Sequence, residues 1–191
     1  MNWESYQSKI PAGKVGNARV EKFRVKKVSD FLHAFIHGAT VIPGEYTKLI
    51  VEGQLMMTDT HDEIMDQSEI ITTARGRVLI HGLGLGITLE AVLLNPEVSS
   101  VDVVEKSIDV INLVAPHFVD DKRVRIWHDD CLTRKWPRGT RWDFVWHDIW
   151  PTICADNLPE IRTLHKKFAK RCGWQGSWKK EYLEDMNGGY R

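Results

Sequence analysis

Three short segments carry residue types that could do chemistry together. The first is His81-Gly82-Leu83-Gly84-Leu85-Gly86, in which three glycines alternate directly after the apolar run Val78 to Ile80. Glycine lets a chain turn sharply and lets a ligand lie against bare backbone, so Gly82, Gly84 and Gly86 mark a place for close approach. The second is Glu105, which ends the run Val101-Asp102-Val103-Val104 nineteen residues after Gly86. A carboxylate at that distance from a glycine turn can accept both hydroxyls of a ribose, and it repels a 2′-phosphate. The third is divided between two strand exits. In Trp127-His128-Asp129-Asp130-Cys131, Asp130 is placed to accept from an adenine amino group and the next backbone N–H to donate to a ring nitrogen. In His147-Asp148-Ile149-Trp150-Pro151, Asp148 is a candidate general base or an anchor for a cationic amine. His147 beside it is a candidate catalytic group, and Trp150 could stack on a ring or a sulfonium cation.

These segments need a frame that brings strand ends together. From Arg77 onward, apolar runs alternate with helical patterns: strands at 77–81, 100–105, 123–127 and 142–147, and helices at 86–94, 107–115 and 156–171. Ser107 caps the second helix and Pro159 sits in the first turn of the third. Such alternation predicts an α/β fold, a Rossmann-like parallel sheet with helices on its faces. The expected strand order is 3-2-1-4, which sets the exits of strands 1 and 4 on one crevice. Upstream, 46–51 and 54–58 read as a hairpin turning at Glu52-Gly53. Thr60-x-x-Glu63 reads as a capping box opening a helix from His61 to about Thr73, and Ser29 as the cap of a helix over Phe31–Ile36. The predicted organisation is an N-terminal extension over 1–73, a ligand-binding core over 74–171 and a tryptophan-containing charged tail over 172–191.

Composition narrows the classes. The 191 residues include eight tryptophans, enough apolar surface for one core. No apolar run approaches the roughly 18 residues of a membrane helix, and Met1-Asn2-Trp3-Glu4 does not open a signal peptide. The odd cysteines Cys131, Cys154 and Cys172, without CxxC spacing, predict reduced thiols, a cytoplasmic location and no metal site. Balanced charge, 26 cations against 26 acids, argues against a general nucleic-acid binder. A run without acids, holding Arg162, Lys166, Lys167, Lys170, Arg171, Lys179 and Lys180, reads as a solvated helix face or a patch for an anion.

The segments HGLGLG (81–86), VDVVE (101–105), RVRIWHDDCL (123–132) and WDFVWHD (142–148), in this order and spacing, resemble class I S-adenosylmethionine-dependent methyltransferases, and within them the spermidine-synthase-like branch. An NAD-binding Rossmann domain shares the glycine turn and distal acid; the HDDC segment and the strand-4 Asp favour the methyltransferase. The resemblance implies S-adenosyl-L-methionine as cofactor, with His81 and Gly82 to Gly86 at its amino acid part, Glu105 at the ribose, Asp130 and Cys131 at the adenine, and Asp148 at the reacting end. It extends upstream over 46–70, where Met56 replaces the expected glutamine and Asp66-Gln67 the expected Tyr-His pair. These departures point away from aminopropyl transfer. The expected activity is methyl transfer to a small amine-type acceptor. The alternatives are a non-catalytic binding module or partner-dependent subunit, a polyamine aminopropyltransferase, and a nucleic-acid methyltransferase; the Asn/Asp-Pro-Pro-Tyr/Phe loop typical of the last is missing. The resemblance ends near Arg171, before the family's later strands. Strand 4 would then be an exposed edge, which predicts a homodimer or a tail packed over that strand with Trp174 and Trp178 buried.

Overall fold

The computed structural model describes residues 7–26 and 42–188. The helix expected over 31–36 lies outside them.

An antiparallel sheet comes first, with order β1-β2-β3-β4: β1 (Gly13–Val15), β2 (Ala18–Val25), β3 (Gly44–Val51) and β4 (Gln54–Thr58). β3 and β4 form the expected hairpin, with Glu52 and Gly53 both at positive φ in its turn. β1 and β2 lie in a stretch where the sequence predicts no element. β2 buries Ala18, Val20 and Val25 and turns its charged residues outward, pairing with the whole of β3.

The expected helix over 61–73 is two helices, α1 (His61–Met65) and α2 (Ser68–Thr73). The capping box does not form. Glu63 instead accepts hydrogen bonds from the backbone N–H and the hydroxyl of Thr58, at 2.7 and 2.8 Å, so its carboxylate closes β4 onto α1. Asp66 and Gln67 occupy the break, and each is held from another part of the chain.

The main sheet is five-stranded and wholly parallel, in the order β7-β6-β5-β8-β9. Its strands are β5 (Gly76–His81), β6 (Val98–Glu105), β7 (Val124–His128), β8 (Trp142–His147) and β9 (Cys172–Ser177). The helices are α3 (Ile87–Leu93), α4 (Ile108–Val114), α5 (Leu158–Phe168) and α6 (Lys180–Gly188). Ser107 caps α4 as expected, accepting from the Val110 N–H at 3.3 Å. Side chains alternate across the strands. Val78, Ile80, Val101, Val103, Phe144 and Trp146 pack with α3, α4 and the antiparallel sheet. Leu79, Val104 and Val145 pack with α5 and α6. Among the described residues, no helix is long and apolar enough to cross a membrane.

The sheet extends one strand beyond the expected four. Residues 172–177, expected as part of a tail, form β9 along β8, with Phe144 opposite Trp174 and His147 opposite Ser177. Trp174 stacks parallel to Trp146, centroids 6.3 Å apart, and lies 5.6 Å from Phe144. Trp174 and Trp178 are half-buried. With β9 in place, β8 is an inner strand and needs no second subunit to cover it.

Candidate functional site

The C-terminal ends of β5, β6, β7 and β8 open on one cavity of about 650 Å³, roofed by Leu49, Met56 and Met57 of the antiparallel sheet. That volume lies within the range of small-molecule sites. Gly82, Gly84, Glu105, Asp130, Cys131, Asp148 and Trp150 all line it, whereas Gly86, His81 and His147 do not.

The glycine turn is held by its own chain. Gly82 has φ 92°, and a Cβ there would run into the Asp148 carbonyl oxygen, so the glycine is what lets the exits of β5 and β8 meet. A Cβ on Gly84 would strike the sulfur of Met57, which also accepts the Leu85 N–H at 3.0 Å. Gly86, expected at the ligand, begins α3 in the left-handed region; a Cβ there would meet the Phe118 ring. Its requirement is packing against the turn that follows α4.

Glu105 stands at the tip of β6 and spans the glycine turn and the start of α4. One oxygen accepts the Leu83 N–H at 2.8 Å and the other the Ser107 N–H at 2.7 Å. Each oxygen keeps a lone pair for a further donor. Asp130 accepts the Leu132 N–H at 2.9 Å and pairs with Lys106 at 3.0 Å. Burial raises its carboxyl, but the Lys106 ammonium and the Leu132 N–H outweigh it and hold the group below its usual range. Asp129 also lines the cavity, but it is engaged by Arg134 at 2.7 Å, and that guanidinium lies over Trp127 and Trp136. The Cys131 thiol is buried and pushed up to about 12, which makes it an apolar wall, while the Cys131 carbonyl receives the Lys167 ammonium at 2.8 Å.

Asp148 follows β8. Burial raises its carboxyl to about 7, against the lowering effect of a 2.7 Å hydrogen bond from the Gln67 side-chain amide. The Gln67 carbonyl accepts from the Thr88 hydroxyl at 3.3 Å, which fixes the amide's orientation. Gln67 is 3% exposed, so this bond is made away from water. Its neighbour Asp66 accepts from the Trp178 indole at 3.2 Å and forms an ion pair with Lys179, tying the break between α1 and α2 to the end of β9. Trp150 donates its indole N–H to Glu160 at 2.8 Å, which leaves its ring as a cavity wall.

The two histidines correct the sequence-based expectation. His81 and His147 are each 0% exposed and turn to the α5 face, beneath Phe168. Their Nδ1 atoms are 2.7 Å apart. The Gln175 amide donates to the His165 carbonyl at 3.0 Å, so its oxygen faces His147 Nε2 at 3.3 Å and must accept from it. His147 Nδ1 is therefore unprotonated and accepts from the His81 Nδ1–H, and His81 Nε2 is left as a buried lone pair without a partner. Burial holds both rings neutral; His147 falls to about 3, and His81 well below its usual value. Neither can reach a ligand in the cavity, so His147 is no candidate base and His81 no cofactor contact. Gln67 is the residue the sequence did not flag. Only its place after Asp62-Glu63, where the resembling family carries another polar side chain, pointed toward it.

No protein-family model matches the sequence, and no curated protein matches it. Solved structures do match in fold. A spermidine synthase from Thermotoga maritima is 20% identical over 74% of this chain and 48% of its own, with a TM-score of 0.46. A dimethyladenosine transferase from Plasmodium falciparum is 16% identical over 65% of this chain and 44% of its own, with a TM-score of 0.48. An amino pentose methyltransferase from Micromonospora echinaspora, solved with SAM bound, is 18% identical over 58% of this chain and 44% of its own, with a TM-score of 0.41. The chain thus spans about half the length of these proteins.

Proposed function

We propose that the cavity binds S-adenosyl-L-methionine and serves methyl transfer to a small amine acceptor. The observation that carries this reading is Asp148: a cavity-lining carboxyl raised to about 7 by burial, one oxygen held by Gln67, at the exit of the strand beside the glycine turn. When bound, S-adenosylmethionine supplies a methyl group already activated on a sulfonium. The residues fit that group. Gly82 and Gly84 line the cavity with bare backbone, with the Met57 sulfur seated on Gly84. Glu105 retains lone pairs for ribose hydroxyls, and Asp130 with the backbone of Cys131 meets the adenine. The carboxylates of Glu105, Asp130 and Asp148 in one cavity suit a cation and repel an anion.

The chain's own task is positioning and one proton transfer. A carboxyl near neutrality is matched to taking a proton from an amine as its nitrogen loses basicity. Gln67 holds Asp148 in one rotamer and favours its ionised form. The Trp150 ring and the two methionines of β4 keep water from the acceptor.

A non-catalytic binding module is the second reading. It is favoured by the Met57 sulfur, which already takes one N–H of the glycine turn. Calorimetric titration with S-adenosylmethionine, its decarboxylated form and NAD tests the ligand. Binding of S-adenosylmethionine is expected, with a loss of about tenfold or more in Glu105→Ala, since hydrogen bonds to a charged group contribute about 1.5–3 kcal/mol. Preference for NAD, or equal binding by Glu105→Ala, overturns the assignment. Release of S-adenosylhomocysteine with any of a panel of small amines separates enzyme from module.

A further inference from the structure

The cationic run that the cavity does not use is half of a larger surface. Residues 131–141 and 161–171 hold nine of the chain's 26 cations and none of its 26 acids, which leaves 17 cations against 26 acids on the rest of the molecule. The balanced total conceals a strong separation of charge.

The fold joins the two segments. Lys167 on α5 donates to the carbonyls of Cys131 and Leu132, at 2.8 and 2.9 Å. Arg171, just past α5, donates to the carbonyls of Trp136, Pro137 and Thr140 at 3.1–3.4 Å. These two cations and Arg134 are spent on structure. The other six, Lys135, Arg138, Arg141, Arg162, Lys166 and Lys170, are all exposed, and none makes an ion pair or hydrogen bond among the described residues. Arg162 and Lys166 stand one helical turn apart, about 6 Å along α5, and Lys170 continues the line in the turn after it. The line starts two residues from Glu160 at the cavity.

Six cations without an ion pair among the described residues, carried on two segments joined through Lys167 and Arg171, repel each other, so this surface suits a ligand with repeated negative charge. No large hydrophobic side chain is exposed within it; those exposed on the described surface lie elsewhere, at Leu94, Val119 and Tyr182 among others. A stable protein interface is centred on apolar or aromatic side chains, and a stable membrane contact adds an apolar wedge or a lipid chain to its basic patch. A polyanion bound through its backbone requires neither.

We propose that the face formed by α5 and the 131–141 segment binds the phosphodiester backbone of a nucleic acid. This is independent of what the cavity binds. The test is fluorescence anisotropy of the full chain with a labelled 20-nucleotide single-stranded RNA, across a series of KCl concentrations. Three variants are compared: the unaltered chain, Arg162→Gln/Lys166→Gln/Lys170→Gln, and Lys14→Gln/Arg24→Gln/Lys26→Gln, which removes the same charge from exposed positions on the antiparallel sheet. Binding that weakens steeply with salt is expected. The α5 variant loses about tenfold or more in affinity, and its slope of log K against log salt shrinks by about 2, roughly 0.7 for each phosphate no longer neutralised. The antiparallel-sheet variant stays within about twofold of the unaltered chain. The proposal is overturned by an absence of binding at about 50 mM salt. It is equally overturned by an equal loss in both variants, which would report net charge alone, or by polyglutamate competing as well as unlabelled RNA.

Discussion

Replacing Gln67 by leucine removes the donor from Asp148 and the 3.3 Å acceptor of the Thr88 hydroxyl, and of these only the first touches the carboxylate. The site is 3% exposed, leucine fills a similar volume, and the substitution deletes the 2.7 Å hydrogen bond to the Asp148 carboxylate. A hydrogen bond to a charged group contributes about 1.5–3 kcal/mol against about 0.5–1.5 for one to a neutral group, so the difference, about 1–1.5 kcal/mol, favours the ionised form. At about 1.4 kcal/mol per unit, the Asp148 midpoint moves up from about 7 by about one unit in Gln67→Leu. The sign is fixed by the physics: burial, with a smaller push from the Asp66 carboxylate, raises the carboxyl, Gln67 opposes them, and without Gln67 both act unopposed. Carboxyl carbon shifts of protein labelled at aspartate Cγ, followed from pH 4 to 10, read the midpoint directly. The Asp148 signal is identified by its absence in Asp148→Asn. This readout needs neither ligand nor turnover, so it tests the geometry apart from the function. An unmoved midpoint in Gln67→Leu would refute the claim that this amide holds the ionised carboxylate. If the methyl-transfer reading also holds, the acidic limb of the rate profile moves up by the same amount.

Two further outcomes concern stability. Gly82→Ala places a methyl group against the Asp148 carbonyl oxygen at φ 92° and should cost about 3 kcal/mol or more, lowering the melting temperature by roughly 6–12 °C. Gly53→Ala, at φ 83° but facing open space, should cost only about 1 kcal/mol, and equal losses at the two positions would contradict the contact. The pH dependence contains two opposed contributions. His147 is neutral in the fold down to about 3, and burial holds its partner His81 neutral as well; both protonate near 6.5 when unfolded, so their stabilisation is lost as pH falls below about 6.5, roughly 2 kcal/mol for each by pH 5. Asp148 and Glu63 are protonated in the fold near 7 and only near 4 when unfolded, so each returns about 2 kcal/mol over the same fall. Between pH 7 and 5 the melting temperature should change little in the unaltered chain and drop in Glu63→Gln/Asp148→Asn; scanning calorimetry showing the same flat profile in both would break the argument.

What the sequence made legible depended on whether the cause was local. The first four strands of the parallel sheet each carry apolar residues bounded by turn or cap residues, and Ser107 occupies a position whose chemistry is fixed by its immediate neighbours. β9 has no such signal. Cys172-Gly173-Trp174-Gln175-Gly176-Ser177 contains two glycines and no β-branched residue, and it is a strand because β8 offers an unpaired edge and Trp146 a flat face for Trp174. A Cβ on Gly176 would meet the rings of Trp146 and Trp174, so that glycine is the local imprint of a contact between distant segments. Asp102 is a similar case. An acid inside a buried strand reads as a defect until Trp127 and Trp142 donate their indole N–H groups to its two oxygens, at 3.0 and 2.9 Å.

The histidines were a different kind of miss, because the information was present. Side chains alternate along a strand, and Ile80 and Trp146 belong to the face that meets the antiparallel sheet. His81 and His147 must then turn to the α5 face, whatever their closeness in sequence to Gly82 and Asp148. Position at a strand end brought them near the site, and parity took them out of it. Gln67 lies at the opposite extreme. It stands 81 residues from Asp148, in a helix break that exists because Asp66 is drawn to Trp178 and Lys179 while Gln67 is drawn to Asp148. The helical pattern over 61–73 is sound as a pattern. Two long-range interactions outweigh the few backbone hydrogen bonds given up at the break, and the interruption puts a neutral donor beside a cavity carboxyl that burial holds near neutrality.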